Sequence, residues 1–280
     1  FEYYAGQATQ LWGEQIPMNG PLLDYTLREP VGVCAQIVPW NFPLLMAAWK
    51  LAPALAAGNA LILKPASATP ITAVMLGEIC LEAGVPDGVV NVLTGPGKEV
   101  GEALAAHPGV DKVAFTGETS TGRRIMELAA GTIKKVSLEL GGKSPNIVFP
   151  DADLDEAVAG SLFAIFTNAG QRCTARTRLF LHEDIHDAFL SEFVSRAQQI
   201  RVGKFLASPV ITVIKDNFYA FSCYLGIQLI GCLNDFFTIT KLSKVNFCWS
   251  YIFRPYNSLV IREMFNYYSR QPRDAYTIGA

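Results

Sequence analysis

The sequence has almost no net charge: 23 Lys and Arg residues face 25 Asp and Glu residues, which gives a formal charge of −2 over 280 residues. This balance provides no electrostatic reason to expect binding to nucleic acid or to an anionic membrane surface. The six cysteines lack the dense, regular spacing of a secreted disulfide framework. We therefore expect reduced thiols in a reducing compartment, and we assign the cytoplasm.

The sequence also lacks a long, uncharged apolar run. The nearest approach is 218–233, which contains Gln228 and is shorter than the roughly 18–20 residues that a membrane helix needs. We therefore expect no membrane association. The chain starts at Phe1 with neither an initiator methionine nor a charged-then-apolar leader, and we expect that an amino-terminal segment is missing.

Short apolar runs that alternate with longer helical patterns make up most of the chain up to residue 204. Strand-like runs lie at 31–38, 60–63, 89–93, 112–115, 136–138, 146–149 and 179–181. The segment 43–57 is apolar nearly all round, which predicts a buried helix. Thr69 and Asp153 are expected to cap the helices that follow them. The pattern predicts an α/β protein with a parallel sheet covered on both faces, and such sheets bind ligands at the carboxyl ends of their strands.

This alternation stops after residue 204. Aromatic residues and cysteines become frequent, acidic residues become scarce, and no clear capping or turn residues separate the segments. We interpret 205–280 as a tail that is disordered or that derives from mis-joined sequence.

Two motifs follow predicted strands. In Pro39-Trp40-Asn41-Phe42-Pro43, the prolines fix a turn and Asn41 offers an amide donor to a developing oxyanion; an ordinary strand-to-helix turn explains the pentapeptide equally well. In Lys64-Pro65-Ala66-Ser67, the lysine can reach ribose hydroxyls or a phosphate, although an isolated lysine of this kind is more often a solvated loop residue.

A third motif, Phe115-Thr116-Gly117-Glu118-Thr119-Ser120-Thr121-Gly122, leads from a strand into a helix. Its glycines permit a close backbone approach, and the amino terminus of the helix presents free N–H groups to a pyrophosphate. The spacing differs from the G-x-G-x-x-G fingerprint of many dinucleotide-binding folds.

The strongest candidates for chemistry lie in Glu139-Leu140-Gly141-Gly142-Lys143-Ser144-Pro145 and in Gly170-Gln171-Arg172-Cys173-Thr174. Cys173 stands between polar residues at the edge of a helix, where oriented N–H groups favour a thiolate. A small buried side chain is the alternative, and we assume it for Cys34 and Cys80.

In this order, the motifs closely resemble those of the aldehyde dehydrogenase superfamily over residues 1–204. The resemblance implies a partial cofactor-binding domain with a Rossmann-type parallel sheet at 1–138 and the start of an α/β catalytic domain at 139–204, followed by a tail at 205–280 that does not match. It also implies oxidation of a small-molecule aldehyde to a carboxylic acid with NAD or NADP, and a homo-oligomeric full-length parent.

The resemblance assigns a role to each motif. It makes Cys173 the nucleophile that forms a thioester, Asn41 an oxyanion donor together with the Cys173 N–H, and Glu139 the base that activates the hydrolytic water. A buried carboxylate suits that last role because burial tunes its basicity. The cofactor-binding residues implied are Trp40, Lys64, Ser67, Phe115, Gly117, Glu118, Thr119, Ser120, Thr121, Gly122 and Leu140.

Two residues depart from the family pattern inside the matching region. Many NAD-preferring relatives have a glutamate where Ser67 stands, so the repulsion of a 2′-phosphate is absent and the choice between NAD and NADP stays open. Glu118 replaces a common serine, and its carboxylate is unfavourable near a pyrophosphate unless it points to solvent.

Large parts of the family's catalytic and cofactor domains have no counterpart in this sequence. We therefore expect the chain alone to fold poorly and to turn over little or no substrate. A truncated, non-catalytic nucleotide-binding chain is one alternative function. A zinc metalloprotease based on His182-Glu183-x-x-His186 is a remote one, because that motif needs a helix and a third ligand. The aldehyde itself is not identified, although Phe42, Leu45 and Trp49 suggest a partly apolar site.

Overall fold

Alternating apolar strands and helices produce a layered α/β structure in the computed structural model, which describes residues 1–200 and the strand segments 202–203, 211–212 and 238–242. The strands are β1 Gln15–Ile16, β2 Asp24–Tyr25, β3 Val33–Ile37, β4 Ala60–Lys64, β5 Val90–Val92, β6 Lys112–Gly117, β7 Lys135–Leu140, β8 Pro145–Val148, β9 Arg178–His182, β10 Val202–Gly203, β11 Ile211–Thr212 and β12 Thr238–Leu242. The helices are α1 Glu2–Gln7, α2 Pro43–Ala56, α3 Ile71–Glu82, α4 Glu102–Ala106, α5 Thr119–Ala130, α6 Leu154–Phe166 and α7 His186–Gln198.

A five-stranded parallel sheet in the order β5-β4-β3-β6-β7 forms the larger unit. Its register pairs Ile37 with Lys64 on one side and with Phe115 on the other, and it pairs Thr116 with Glu139. Because the strands are parallel, the segments that leave β3, β4, β6 and β7 all emerge at the same edge.

Helices cover both faces of this sheet. On one face, α2 and α3 pack over β3 and β4, with Leu51, Leu61 and Leu63 fully buried. On the other face, α4 and α5 pack over β3 and β6 around Val113 and Ile125. Strands buried on both faces read as continuous apolar runs, which explains why the sequence pattern identified them.

A smaller parallel sheet in the order β12-β9-β8 follows along the chain. Helices α6 and α7 pack together on one of its faces, where Val158, Leu179 and Phe189 are fully buried. The Glu156 N–H donates to the Asp153 carboxylate at 3.0 Å, so Asp153 caps α6 as predicted.

The α/β class with a parallel sheet is confirmed, and two local expectations are wrong. Helix α2 is not buried all round, because Leu44, Leu45 and Trp49 are each at least 45% exposed. Thr69 does not cap α3, whose first residue is Ile71 and whose preceding position is Pro70. Helix α4 is preceded by a wider helical turn at Gly97–Gly101.

The structure also bears on the proposed domain limits. Glu139 and Leu140 complete β7 and therefore belong to the five-stranded sheet, while the smaller sheet starts at Pro145. The change from one sheet to the other falls within 141–144. Most of the tail at 205–280 lies outside the described residues, apart from β11 and β12; β12 pairs in parallel with β9.

Candidate active site

The candidate site forms where the sheet edge meets a loop of the smaller unit. The segment after β3 carries Asn41, β4 ends at Lys64, and β7 carries Glu139 next to its last residue. Their position at one edge follows from the parallel register. The loop that carries Cys173 lies between α6 and β9 and approaches this edge from the other unit.

Cys173 lies in a turn, closed by a hydrogen bond from the Ala175 N–H to the Arg172 carbonyl at 3.2 Å. The expectation that it lies at the edge of a helix needs correction, because a short turn at Thr167–Gly170 separates it from α6. Cys173 is exposed, whereas Cys34 and Cys80 are buried, and burial raises the pKa of both buried thiols. Among these three thiols, Cys173 is therefore the one that is accessible to a reagent or substrate.

Asn41 reaches the Cys173 loop directly. Its side-chain Nδ2 donates to the Gln171 carbonyl at 2.8 Å, two residues before Cys173. An amide group carries two N–H donors, so this bond fixes the orientation of the side chain and leaves a second donor. The structure thus brings Asn41 to the loop of Cys173, although the two predicted residues are 132 positions apart in the sequence.

The turn after β7 meets the same loop. A β-carbon at Gly142 would lie 3.4 Å from the Cys173 carbonyl oxygen, which shows how closely the two backbones pass. Glu139 lies three residues before Gly142 and is exposed. The expectation that Glu139 is buried is therefore wrong in this structure.

The Glu139 carboxylate interacts electrostatically with the amine of Lys50 on α2. Burial lowers the pKa of Lys50 to about 8, while the Glu139 carboxylate raises it and Lys112 lowers it further. A lysine with this pKa exchanges its proton near neutral pH. Sequence reasoning missed Lys50, although a single lysine within the apolar run Pro43–Ala56 was a usable signal.

Lys64 and Ser67 organise the neighbouring loop. Lys64 is only 3% exposed, and its Nζ donates to the Pro65 carbonyl at 2.8 Å. Burial lowers the pKa of Lys64. The Ser67 hydroxyl donates to the Gly95 carbonyl at 2.8 Å, which ties the loop after β4 to the loop after β5.

The amino terminus of α5 lies at the same edge and has no side-chain cap. Glu118, Thr119, Ser120 and Thr121 are exposed there. Uncapped N–H groups of a helix terminus are suitable donors for a phosphate. Gly122 is buried against Leu140, and a β-carbon at Gly122 would lie 2.6 Å from that side chain, so glycine allows α5 to approach β7.

The remaining predicted cofactor residues lie in different environments. Trp40 is 44% exposed in the segment after β3. Phe115 is 4% exposed in the core, with its ring beneath Gly117, so only its backbone faces the sheet edge. The cofactor role of each of these residues stays a prediction.

The zinc-protease motif lacks the geometry that it needs. His182 is the last residue of β9, and His186 is the first residue of α7, so the two imidazoles are not successive side chains of one helix. Among the residues that the structure describes, no group of three or more potential metal ligands is found. Within the same residues, no helix has the length and apolarity to span a bilayer.

Comparison with known proteins decides the family. A model of the aldehyde dehydrogenase family matches residues 1–215. This chain belongs to the aldehyde dehydrogenase family. The match extends past residue 204, where the motif resemblance ends.

Individual relatives give the same result. The chain is 54% identical over 203 residues to human mitochondrial aldehyde dehydrogenase, covering 72% of this chain and 39% of that protein. The NAD⁺ complex of Bacillus cereus aldehyde dehydrogenase matches with a TM-score of 0.70 and 48% identity, over 72% of this chain and 41% of the other. An NADP-dependent enzyme of E. coli matches with a TM-score of 0.73 and 45% identity, over 75% and 44%. The chain thus spans about two fifths of the relatives that it matches, and its α/β fold is that of the aldehyde dehydrogenases.

Proposed function

We propose that the protein to which this chain belongs oxidises an aldehyde to a carboxylic acid with NAD⁺ or NADP⁺, with Cys173 as the nucleophile. One observation supports this most strongly: Asn41 donates to the Gln171 carbonyl at 2.8 Å, which joins the candidate oxyanion donor to the loop of the candidate nucleophile. Family membership supports the reaction class.

In the proposed reaction, the Cys173 sulfur adds to the aldehyde carbon, and the carbonyl electrons move onto oxygen. The second Asn41 N–H and the Cys173 N–H stabilise this oxyanion. The nicotinamide cofactor, when bound, supplies the acceptor for the hydride that the substrate carbon loses. The resulting thioester at Cys173 is then hydrolysed by water, whose proton Glu139 accepts, and the acid and the Cys173 thiolate are released.

Lys50 is proposed to support Glu139 electrostatically. The ammonium group of Lys50 and the carboxylate of Glu139 attract each other, and burial lowers the pKa of Lys50 to about 8.

The residues at the sheet edge fit a nicotinamide dinucleotide. The uncapped start of α5 offers N–H donors to the pyrophosphate, and Lys64 has two ammonium hydrogens besides the one bound to Pro65. Ser67 places no negative charge in its loop, so we propose that both NAD and NADP are accepted. The exposure of Glu118 reduces its repulsion of a phosphate.

Thiol labelling tests the nucleophile. We expect iodoacetamide to alkylate Cys173 at least about tenfold faster than the buried Cys34 and Cys80, and we expect a short aliphatic aldehyde to slow the Cys173 reaction in a saturable way. Peptide mass spectrometry measures each site, and Cys173→Ser is the control. Equal alkylation of Cys173 with and without aldehyde contradicts the proposal.

For the 280-residue chain by itself, we propose nucleotide binding with little or no turnover. Apolar residues such as Ile71, Phe163 and Phe149 are more than half exposed, and faces of this kind require partners to be stable. Titration with NAD⁺ and NADP⁺ measures binding, and the absorbance of reduced nicotinamide measures turnover. Rapid aldehyde-dependent reduction by the purified chain contradicts this proposal.

The parent protein is proposed to be a homo-oligomer. The free thiols of Cys34, Cys80 and Cys173 agree with a reducing compartment such as the cytoplasm, which stays a prediction.

A further inference from the structure

The segment between α6 and Cys173 has an unusual backbone. Asn168 (φ 54°, ψ 34°), Ala169 (φ 55°, ψ 32°) and Gly170 (φ 74°) follow one another in the left-handed region. Residues with a β-carbon adopt this region at a cost in free energy, and consecutive ones are rare. Contacts around the segment must therefore offset that cost.

The side chain of Asn168 contacts two backbone carbonyls. Its Nδ2 donates to the Asn41 carbonyl at 3.1 Å and also approaches the Gln171 carbonyl at 3.4 Å. The Gln171 N–H in turn donates to the Asn168 carbonyl at 3.1 Å. One amide group thus joins the segment after β3 to the loop that leads into Cys173.

The hydrogen bond from Asn168 adds to the one that the Asn41 side chain makes to the same loop. The Asn41 side chain already donates to the Gln171 carbonyl, so Asn41 is held by its side chain and, through Asn168, by its backbone carbonyl. The left-handed backbone directs the Asn168 side chain, since asparagine tolerates this conformation better than other residues with a β-carbon. Ala169 shares the conformation but has no polar side chain.

We infer that Asn168 is a positioning residue. It holds the Cys173 loop against Asn41 and so fixes the position of the oxyanion donor relative to the nucleophile. This inference rests on the proposed function for its chemical meaning. The contact between Asn168 and Asn41 is a structural property, and it is measured separately from the proposed chemistry.

The test compares four variants of the full chain with the wild type. Asn168→Gly removes the amide but adopts the left-handed backbone freely, so it separates the side chain from the conformation. Ala169→Gly relaxes the backbone and keeps the amide. Asn91→Gly removes another amide that donates to two carbonyls, at Leu61 and Gly88, far from Cys173 in the fold. Asn168→Asp keeps the shape of the side chain but removes its N–H donors. It takes the place of Asn168→Gly if that variant does not fold.

Two measurements are made on each form. Hydrogen exchange measures the order of the loop at the Gln171 and Ala175 amides, and aldehyde protection of Cys173 from iodoacetamide measures the geometry of the site. For Asn168→Gly, we expect exchange about fivefold faster and a half-protecting aldehyde concentration about fivefold higher, as the loss of one hydrogen bond implies. Ala169→Gly and Asn91→Gly should match the wild type in both.

Each other outcome is decisive. Unchanged exchange in Asn168→Gly, or an equal effect of Asn91→Gly on the loop, overturns the inference. Faster exchange with unchanged aldehyde protection also overturns it, because the loop would then be loosened without consequence for the site. If aldehyde fails to protect the wild type, the proposed function fails, while exchange still decides whether Asn168 fastens the loop.

Discussion

The two sheets follow the same alternation of strands and helices, yet helices cover them differently. The five-stranded sheet has α2 and α3 on one face and α4 and α5 on the other, all from residues 43–130. In the smaller sheet, the described helices α6 and α7 lie on one face, and Ile147 on the opposite side of β8 is 51% exposed. The larger sheet is therefore covered by helices on both faces, whereas the described helices cover only one face of the smaller sheet.

Truncation of a core side chain should give the largest difference in the free energy of unfolding between the two units. We expect Leu63→Ala in β4 to destabilise the chain by about 3–4 kcal/mol, because Leu63 is fully buried in a central strand with helices on both sides of the sheet. Leu179→Ala in β9 is equally buried but should cost only about 2–3 kcal/mol, because the smaller sheet can relax more readily. Denaturant unfolding gives the free energies.

Hydrogen exchange tests the same comparison. Leu63→Ala should accelerate exchange in both units, whereas Leu179→Ala should accelerate it mainly in β8 and β9. If both substitutions accelerate exchange equally throughout 31–198, the chain unfolds as one cooperative unit, and the contrast drawn here is wrong.

The partly buried amine of Lys50 gives a smaller effect. Its pKa falls from 10.5 in the unfolded chain to about 8 in the folded one, so at pH 7 the folded state holds a partly desolvated charge at a cost. We expect Lys50→Met to raise the free energy of unfolding by about 1–3 kcal/mol at pH 7. The wild type should recover this difference as pH rises from 8 to 10.5, because the folded chain then loses the proton first.

The pH dependence of unfolding, measured as the difference between the two chains, checks this prediction. The exposed Lys98 provides a control, since Lys98→Met should leave the free energy unchanged at every pH. A pH-independent difference for Lys50→Met would show that packing, and not charge, causes the change.

Relief of backbone strain gives the smallest effect. Ile133 is 92% exposed and has a φ of 54°, in the turn between α5 and β7. A β-branched residue is poorly suited to this conformation, so we expect Ile133→Asn to stabilise the larger unit by about 1 kcal/mol. Thr132→Asn, at a neighbouring position with ordinary φ, should not stabilise it. Thermal unfolding of both variants tests whether strain at Ile133 is the cause.

The sequence predicted β3, β4 and β6 of the larger sheet well because these inner strands are largely buried and therefore form nearly continuous apolar runs. It predicted the cap at Asp153, where one side chain and one N–H suffice. It erred where the environment comes from elsewhere: the exposed side of α2, the exposure of Glu139 and the turn before Cys173. It missed Asn168, since nothing local shows that its amide meets Asn41 across 127 positions.

Sequence by itself determined the family, the order of strands and helices, and the residue types available for chemistry, because motifs and apolar periodicity are local properties. Tertiary structure alone decided the hydrogen bond of Asn41 with Gln171, the close approach of Gly142 to Cys173 and the electrostatic interaction of Lys50 with Glu139. Such contacts depend on the register of parallel strands and on the path of distant loops, which arise only when the chain packs.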